Sequence, residues 1–283
     1  MPIHWFPGHM ATARRDIRRV LPEVDLLIEV LDARIPFSSQ NPLVDELRGE
    51  KPCIRVLNKA DMADPATTEA WLASLSVPAN SRALVHHQRQ PGARDAIVRL
   101  ARSLVGPIQA RPMMALILGI PNVGKSTLIN TLAARTIAKT GNKPAVTQMQ
   151  QRIAVNADLT LLDTPGFLWP KLTPAACGYR LALTGAIADR VTDFQDLAGF
   201  ALPFLRARHP DALVRHYGLK DMPAGDDDLL AGIGRRRGFL GKGGVVDLAR
   251  AAERLVLDLR EGALGRMTLE TPEDCGVGSA LEA

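Results

Sequence analysis

Aromatic side chains make up only 4% of the 283 residues, which excludes an interior built on rings and predicts an aliphatic core. There are three cysteines, Cys53, Cys177 and Cys275, far apart in the chain. Their odd number argues against a disulfide framework, and they fit no metal-ligand spacing, so they read as small buried hydrophobes in a reducing compartment. No apolar run approaches the length of a membrane span. The opening stretch, "MPIHWFPGHM", has neither the basic flank nor the apolar core of a signal peptide. These absences predict a cytoplasmic globular protein with no membrane partner, and we read it as a monomer.

What is present is 46% hydrophobic residues and a net charge of +5. The length suffices for one large or two modest domains with real cores. The basic excess mildly favours a polyanionic partner, with a weight that depends on where the charges lie.

Along the chain, "GHMATARRDIRRVLPEVD" has helical spacing, with Met10, Ala13, Ile17 and Val20 on one face and Pro22 as its stop. "DLLIEVLDAR" reads as a strand running into a loop that contains "IPFSSQNP". Strands at "PCIRVL", "SRALVHH" and "MMALILG" then alternate with helices at "TTEAWLASL", "ARDAIVRLARSLV" and "KSTLINTLAAR". "RIAVNADLTLLD" reads as a hairpin turning near Asn156–Asp158. This alternation predicts an α/β fold with a doubly wound, parallel-rich sheet. From about residue 175 every segment is helical in period, broken by Gly and Pro. The predicted division is a nucleotide-binding domain over 1–174 and a smaller all-helical domain over 175–283.

Between the strand "MMALILG" and its helix lies "GIPNVGKS", residues 119–126. Gly-x4-Gly-Lys-Ser in a strand–loop–helix context is a phosphate cradle: glycines let backbone N–H groups close on phosphate oxygens at a helix N-terminus. Asn122, Val123, Gly124, Lys125, Ser126 and Thr127 are the predicted nucleotide contacts. Lys125 brings a positive charge to the β- and γ-phosphates, and Ser126 a hydroxyl for Mg²⁺. Downstream, "TLLDTPG" ends a strand in Asp-x-x-Gly, so Asp163 would hold Mg²⁺ through water and the Gly166 N–H would sense the γ-phosphate. Between them, Thr147 in "NKPAVTQ" is either the switch threonine, meeting Mg²⁺ and the γ-phosphate, or a surface-loop threonine.

"LNKAD", residues 57–61, ends a buried strand. A carboxylate there accepts from guanine N1–H and N2–H₂ together, whereas facing adenine it would be left unpaired, a penalty of about 1–3 kcal/mol or more. Asp61 is therefore the predicted guanine reader, Asn58 bonds the purine edge and ties neighbouring loops, and the Lys59 stem covers one face of the base. GTP is favoured over ATP. A second base-side loop is expected after "SRALV", near His86, where "HHQRQ" leaves the guanine carbonyl contact unassigned.

The base reader thus precedes the phosphate loop. Loops from separate strands converge on one ligand whatever their chain order, and joining old termini while cutting elsewhere preserves the site. The order predicts a circularly permuted P-loop GTPase domain whose γ-phosphate-sensing loop leads straight into the helices.

These residues also carry a resemblance. "WFPGHM" at 5–10, "DARIPFSSQNP" at 32–42, "LNKAD", "GIPNVGKSTLIN" at 119–130, "LLDTPGFLWPK" at 161–171, "LALTGAI" at 181–187 and "IGRRRG" at 233–238 are similar to the circularly permuted ribosome biogenesis GTPase A family, over nearly the whole chain. The resemblance implies GTP hydrolysis linked to late maturation of the large ribosomal subunit. It implies the subunit precursor and its rRNA as partners, and activity that rises on the pre-ribosome. Ala145, where similar proteins carry glycine, and the absent Ser-Ala loop near His86 are departures.

Where many GTPases place a water-orienting glutamine, this chain has Phe167 and Leu168, so turnover in isolation should be slow. His9 is either the missing group, swinging toward the γ-phosphate when rRNA orders the N-terminus, or a helix-start histidine packing locally. Asn122 either helps hold a K⁺ ion against the phosphates or braces the loop. Arg14, Arg15, Arg18 and Arg19 crowd the first helix, and Arg235, Arg236, Arg237 and Lys242 a Gly-punctuated turn; these are candidate rRNA phosphate contacts or plain solvated faces. The rival to a GTPase switch is an RNA-binding assembly scaffold whose nucleotide site turns over little. An RNA-modifying enzyme fares poorly, because no nucleophile constellation is present.

Overall fold

The structure, a computed structural model, describes residues 8–77, 80–88, 90–107, 111–134, 151–169, 172–189 and 192–277, without the side chains of 8–13. The chain opens with α1 (Gly8–Val20), whose Ile17 and Val20 are buried against Leu27, Leu116 and Leu162. Met10 and Ala13, expected on that face, fall outside the described side chains. β1 (Leu26–Asp32) is buried at every position. The stretch read as a loop after it holds two short helices, α2 (Pro36–Ser39) and α3 (Pro42–Arg48). Both begin on a proline, whose missing N–H is no loss in a first turn, and the Asn41 side chain caps α3 by accepting from Leu43 N at 3.1 Å.

There follow β2 (Cys53–Asn58), α4 (Pro65–Leu75), β3 (Ser81–Val85), α5 (Ala93–Val105), β4 (Met113–Gly119), α6 (Lys125–Ala133) and the hairpin β5 (Gln151–Ala154) and β6 (Leu159–Asp163). The hairpin turn is held where the sequence places it: Asn156 Oδ1 accepts from Asp158 N and Leu159 N at 3.0 and 2.9 Å. The six strands form one sheet in the order β3–β2–β1–β4–β6–β5, parallel except for the edge strand β5.

Leu26, Ile28 and Val30 share a cluster with Ile97 of α5 and Leu128 and Ile129 of α6. Leu27 shares one with Ile17 of α1 and Val44 of α3. Both faces of β1 are thus covered, as its unbroken apolar run requires.

Connections from β1 and β4 run in opposite directions across the sheet, which creates a switch point between these neighbours. Ligands in such sheets sit beyond the strand carboxyl ends at that crevice. Asp32 at the end of β1, Asn58 of β2, Gly119 of β4 and Asp163 of β6 all end at this edge.

Residues beyond β6 are helical: α7 (Ala175–Leu183), α8 (Phe194–Arg208), α9 (Pro210–Tyr217), α10 (Asp226–Arg236) and α11 (Leu248–Glu261). Their apolar faces, among them Leu181, Leu202, Leu213, Ile233 and Leu255, join the cluster that fills one side of the sheet. After α11 the chain returns to the sheet edge. Met267 N donates to Met62 O at 3.0 Å, Leu269 N to Arg34 O at 2.8 Å, and Trp71 Nε1 to Glu270 O at 3.1 Å. No helix among the described residues is long and apolar enough to cross a membrane.

Candidate nucleotide site

The phosphate loop joins β4 to α6. Gly119 sits where a Cβ would lie 2.9 Å from Val30 O, so only glycine lets the loop leave the sheet this close to β1. Gly124 has φ +95°, and a Cβ there would collide with Asn58 Nδ2. That collision reports the main contact of the site: Asn58 Nδ2 donates to Val123 O at 2.7 Å, joining the base-reading loop directly to the phosphate loop. Asn58 is buried, and its Oδ1 meets His86 Nδ1 at 2.7 Å. The two loops, 65 residues apart in the chain, are one unit.

Lys59 follows in the left-handed region, φ +60°, with its Nζ donating to Asp32 Oδ2 at 2.9 Å. Asp61, in the short turn Ala60–Met62, is exposed and makes no hydrogen bond among the described residues. Its carboxylate is open to a ligand.

At the other end, Lys125 Nζ pairs with Asp163 Oδ1, and both side chains are buried. Burial lowers the Lys125 pKa, and Asp163 works against that shift. The ammonium carries the charge that a phosphate needs opposite it and the carboxylate the charge that Mg²⁺ needs, and here the two neutralise one another. The residues therefore fit a Mg²⁺–phosphate pair. Gly166 packs on the phosphate loop, where a Cβ would lie 3.2 Å from Pro121 N. Thr164 Oγ1 donates to Ile117 O at 2.9 Å and pins the Asp-x-x-Gly loop to β4. Ser126 and Thr127 are partly exposed in the first turn of α6. Phe167 and Leu168 are buried in two different core clusters, so neither side chain reaches a ligand-bound water.

Thr147 and Ala145 lie outside the described residues. The backbone of His9 is in the first turn of α1, and its side chain is not described. The other predicted site residues, from Asn58 to Gly166, meet at one sheet edge.

A family model described as "50S ribosome-binding GTPase" matches residues 114–205. The chain is 44% identical over 284 residues to ribosome biogenesis GTPase A of Bacillus cereus, covering 98% of this chain and 96% of that one. It is 32% identical to ribosome biogenesis GTPase A of Thermotoga maritima, with 95% of each chain covered. The chain belongs to the ribosome biogenesis GTPase A family. The GNP-bound YlqF structure from T. maritima is similar at a TM-score of 0.66 and 29% identity, covering 93% of this chain and 99% of that one. The GDP-bound YlqF structure is similar at 0.67 and 29%, covering 92% and 100%. As in that family, the fold is a P-loop GTPase sheet assembled in circularly permuted order.

In this GTPase, sequence reasoning missed the residues that join the site to the helices. Asp32 accepts from Arg34 through both carboxylate oxygens, at 2.9 and 2.8 Å, as well as from Lys59. Burial works to raise the Asp32 pKa, but Arg34 and Lys59 hold it well below the usual carboxylate range. Arg34 donates onward to Arg260 O at 3.0 Å and Thr184 O at 3.4 Å. Arg260 in turn donates to Ala182 O at 2.8 Å and Leu183 O at 3.3 Å, and Asn122 Nδ2 to Gly185 O at 2.8 Å. The carbonyls of Ala182, Leu183, Thr184 and Gly185, at and just past the end of α7, where a helix leaves carbonyls short of partners, are thus bonded by side chains from both ends of the nucleotide site. The signal available in the sequence was position: Asp32 ends, and Arg34 follows, the strand at the switch point.

The basic clusters are unequal. Arg14 and Arg18 both pair with Glu46, and Arg19 with Asp16 at 4.0 Å. Arg237 lies over the Tyr217 ring and bonds His216 at 2.9 Å. Arg235, Arg236 and Lys242 are exposed, beside the exposed apolar tips Leu240 and Val245.

Proposed function

We propose that this chain is a GTP-hydrolysing switch that acts in late assembly of the large ribosomal subunit, binds its rRNA and is released on hydrolysis. The observation that carries the reading is the bond from Asn58 to Val123, which unites a guanine-reading sequence with a phosphate loop. In this reading Asp61 pairs with guanine N1–H and N2–H₂, and Lys59 covers the ring. Lys125 leaves Asp163 for the β- and γ-phosphates, and Thr147 and the Gly166 N–H sense the γ-phosphate. Ser126, Thr147 and, through water, Asp163 hold Mg²⁺, which when bound neutralises charge on the phosphate oxygens. With Asn122 Nδ2 committed to Gly185, its Oδ1 is left to face a K⁺ ion. Coupling runs through Thr147 and Gly166 and, in addition, through Arg34 and Asn122 to the end of α7. Residues 1–174 form the nucleotide domain, and 175–283 the rRNA-contacting one, with the exposed Arg235, Arg236 and Lys242 as its leading contacts. The site of action is the cytoplasm.

GTP turnover by the purified protein, alone and with large subunits at two salt concentrations, tests this. Turnover should be slow alone and rise about a hundredfold with subunits, the lower end of what a supplied catalytic group contributes. The gain should fall at high salt, as phosphate contacts are lost. Turnover indifferent to subunits would favour the scaffold reading, supported by the buried Phe167 and Leu168. In the same assay His9→Ala should abolish the stimulation, and full stimulated turnover would remove His9 from the mechanism. Equal rates in Na⁺ and K⁺ would remove the K⁺ role of Asn122.

A further inference from the structure

His86 is fully buried immediately after β3, and its backbone is sewn to the base-reading loop: His86 N donates to Leu57 O at 2.9 Å and Ala60 N to His86 O at 3.2 Å. Its imidazole Nδ1 lies 2.7 Å from Asn58 Oδ1. The hydrogen-bond pattern determines the tautomer. Val123 O can only accept, so the Asn58 atom bonded to it is the amide nitrogen, and the atom facing His86 is the amide oxygen. That oxygen can only accept, so the proton is on His86 Nδ1. The neutral ring then carries a lone pair on Nε2, and Nε2 is buried with no partner among the described residues. Burial and the neighbouring His87 keep the ring in its neutral form, and Asp61 pulls the other way.

An orphaned buried acceptor costs about 1–3 kcal/mol, so an imidazole is a poor choice for filling space here. What it supplies is one N–H donor aimed at Asn58. With Val123 O on one side, His86 on the other and the Cβ-less Gly124 beneath, the Asn58 amide has one orientation open to it.

We propose that His86 is a positioning residue for purine binding. Its Nδ1–H fixes the Asn58 amide, and through it the register between base reader and phosphate loop, replacing the Ser-Ala type of loop expected here. The inference rests on the guanine-nucleotide reading above. It assigns His86 no contact with the ligand.

The test compares His86→Asn, which keeps a donor nitrogen at the Nδ1 position, with His86→Leu, which has the same shape and no donor. GDP affinity should fall about tenfold or more in His86→Leu, the loss of one buried hydrogen bond with its partner left unsatisfied. It should return to within about threefold of wild type in His86→Asn. On an Asn58→Ala background, His86→Leu should change GDP affinity no further. Unchanged binding by His86→Leu, no rescue by asparagine, or a full effect without Asn58 would each overturn the proposal. Should His86→Leu not fold, ¹⁵N-labelled histidine spectra decide: the proton should sit on Nδ1 of His86 in wild type and redistribute in Asn58→Ala. A proton on Nε2 in wild type overturns the assignment. Wild type that binds GDP no better than ADP overturns the guanine reading itself, whereas normal preference with an indifferent His86 overturns only this inference.

Discussion

Asp61→Asn should lower GTP affinity by about two orders of magnitude or more and give the protein measurable affinity for xanthosine triphosphate. Two hydrogen bonds to a charged acceptor are worth about 1.5–3 kcal/mol each, and every 1.4 kcal/mol is about tenfold in affinity. Asparagine presents one acceptor and one donor, the complement of xanthine, whose C2 carries an oxygen in place of the amino group. The exposed Asp61 carboxylate bonds nothing among the described residues, so the substitution should leave the melting temperature of the ligand-free protein unchanged. Competition binding with GTP, XTP and ATP checks the exchange. Retained preference for GTP over XTP in the variant would mean that some other group reads the base.

Asp32→Ala should destabilise the protein by about 3–5 kcal/mol, because removing one member of a buried ion cluster strands the others. Arg34 is 3% exposed and makes no other ion pair among the described residues, and Lys59 loses its anchor as well. Nucleotide affinity should therefore fall together with stability. Arg34→Ala should also loosen the ends of α7 and α11, since the Thr184 and Arg260 carbonyls lose a donor. In denaturant titrations the double variant should cost clearly less than the sum of the two single ones, the sign of residues in one network. Strict additivity would refute the network. The pH dependence follows from the depressed Asp32 pKa. Its stabilising contribution is whole above the ordinary aspartate range and is lost as the pH falls below it, and Asp32→Asn should remove that acid-side loss.

The central strands and their motifs were legible because burial on both faces writes an unbroken apolar run, and because a phosphate cradle needs glycines and a lysine at set spacing. β1, β2 and β4 and the loops "LNKAD" and "GIPNVGKS" could be placed on that ground. α2 and α3 were not, because four and seven residues are too few to show a helical period. His86 read as a departure from an expected loop, since only its partner explains it, and that partner lies 28 residues away.

By itself, then, the amino-acid order determined which chemistry each loop could perform and that the loops belong to a permuted sheet, because those properties reside in short segments. Which distant groups touch was decided only by tertiary structure. The pairing of Asn58 with Val123 and His86, and the gathering of Arg34, Arg260 and Asn122 on the carbonyls at and just past the end of α7, join segments from 28 to 150 residues apart. Such contacts leave no local pattern, because a hydrogen bond depends on where two groups are placed in space, whatever separates them along the chain.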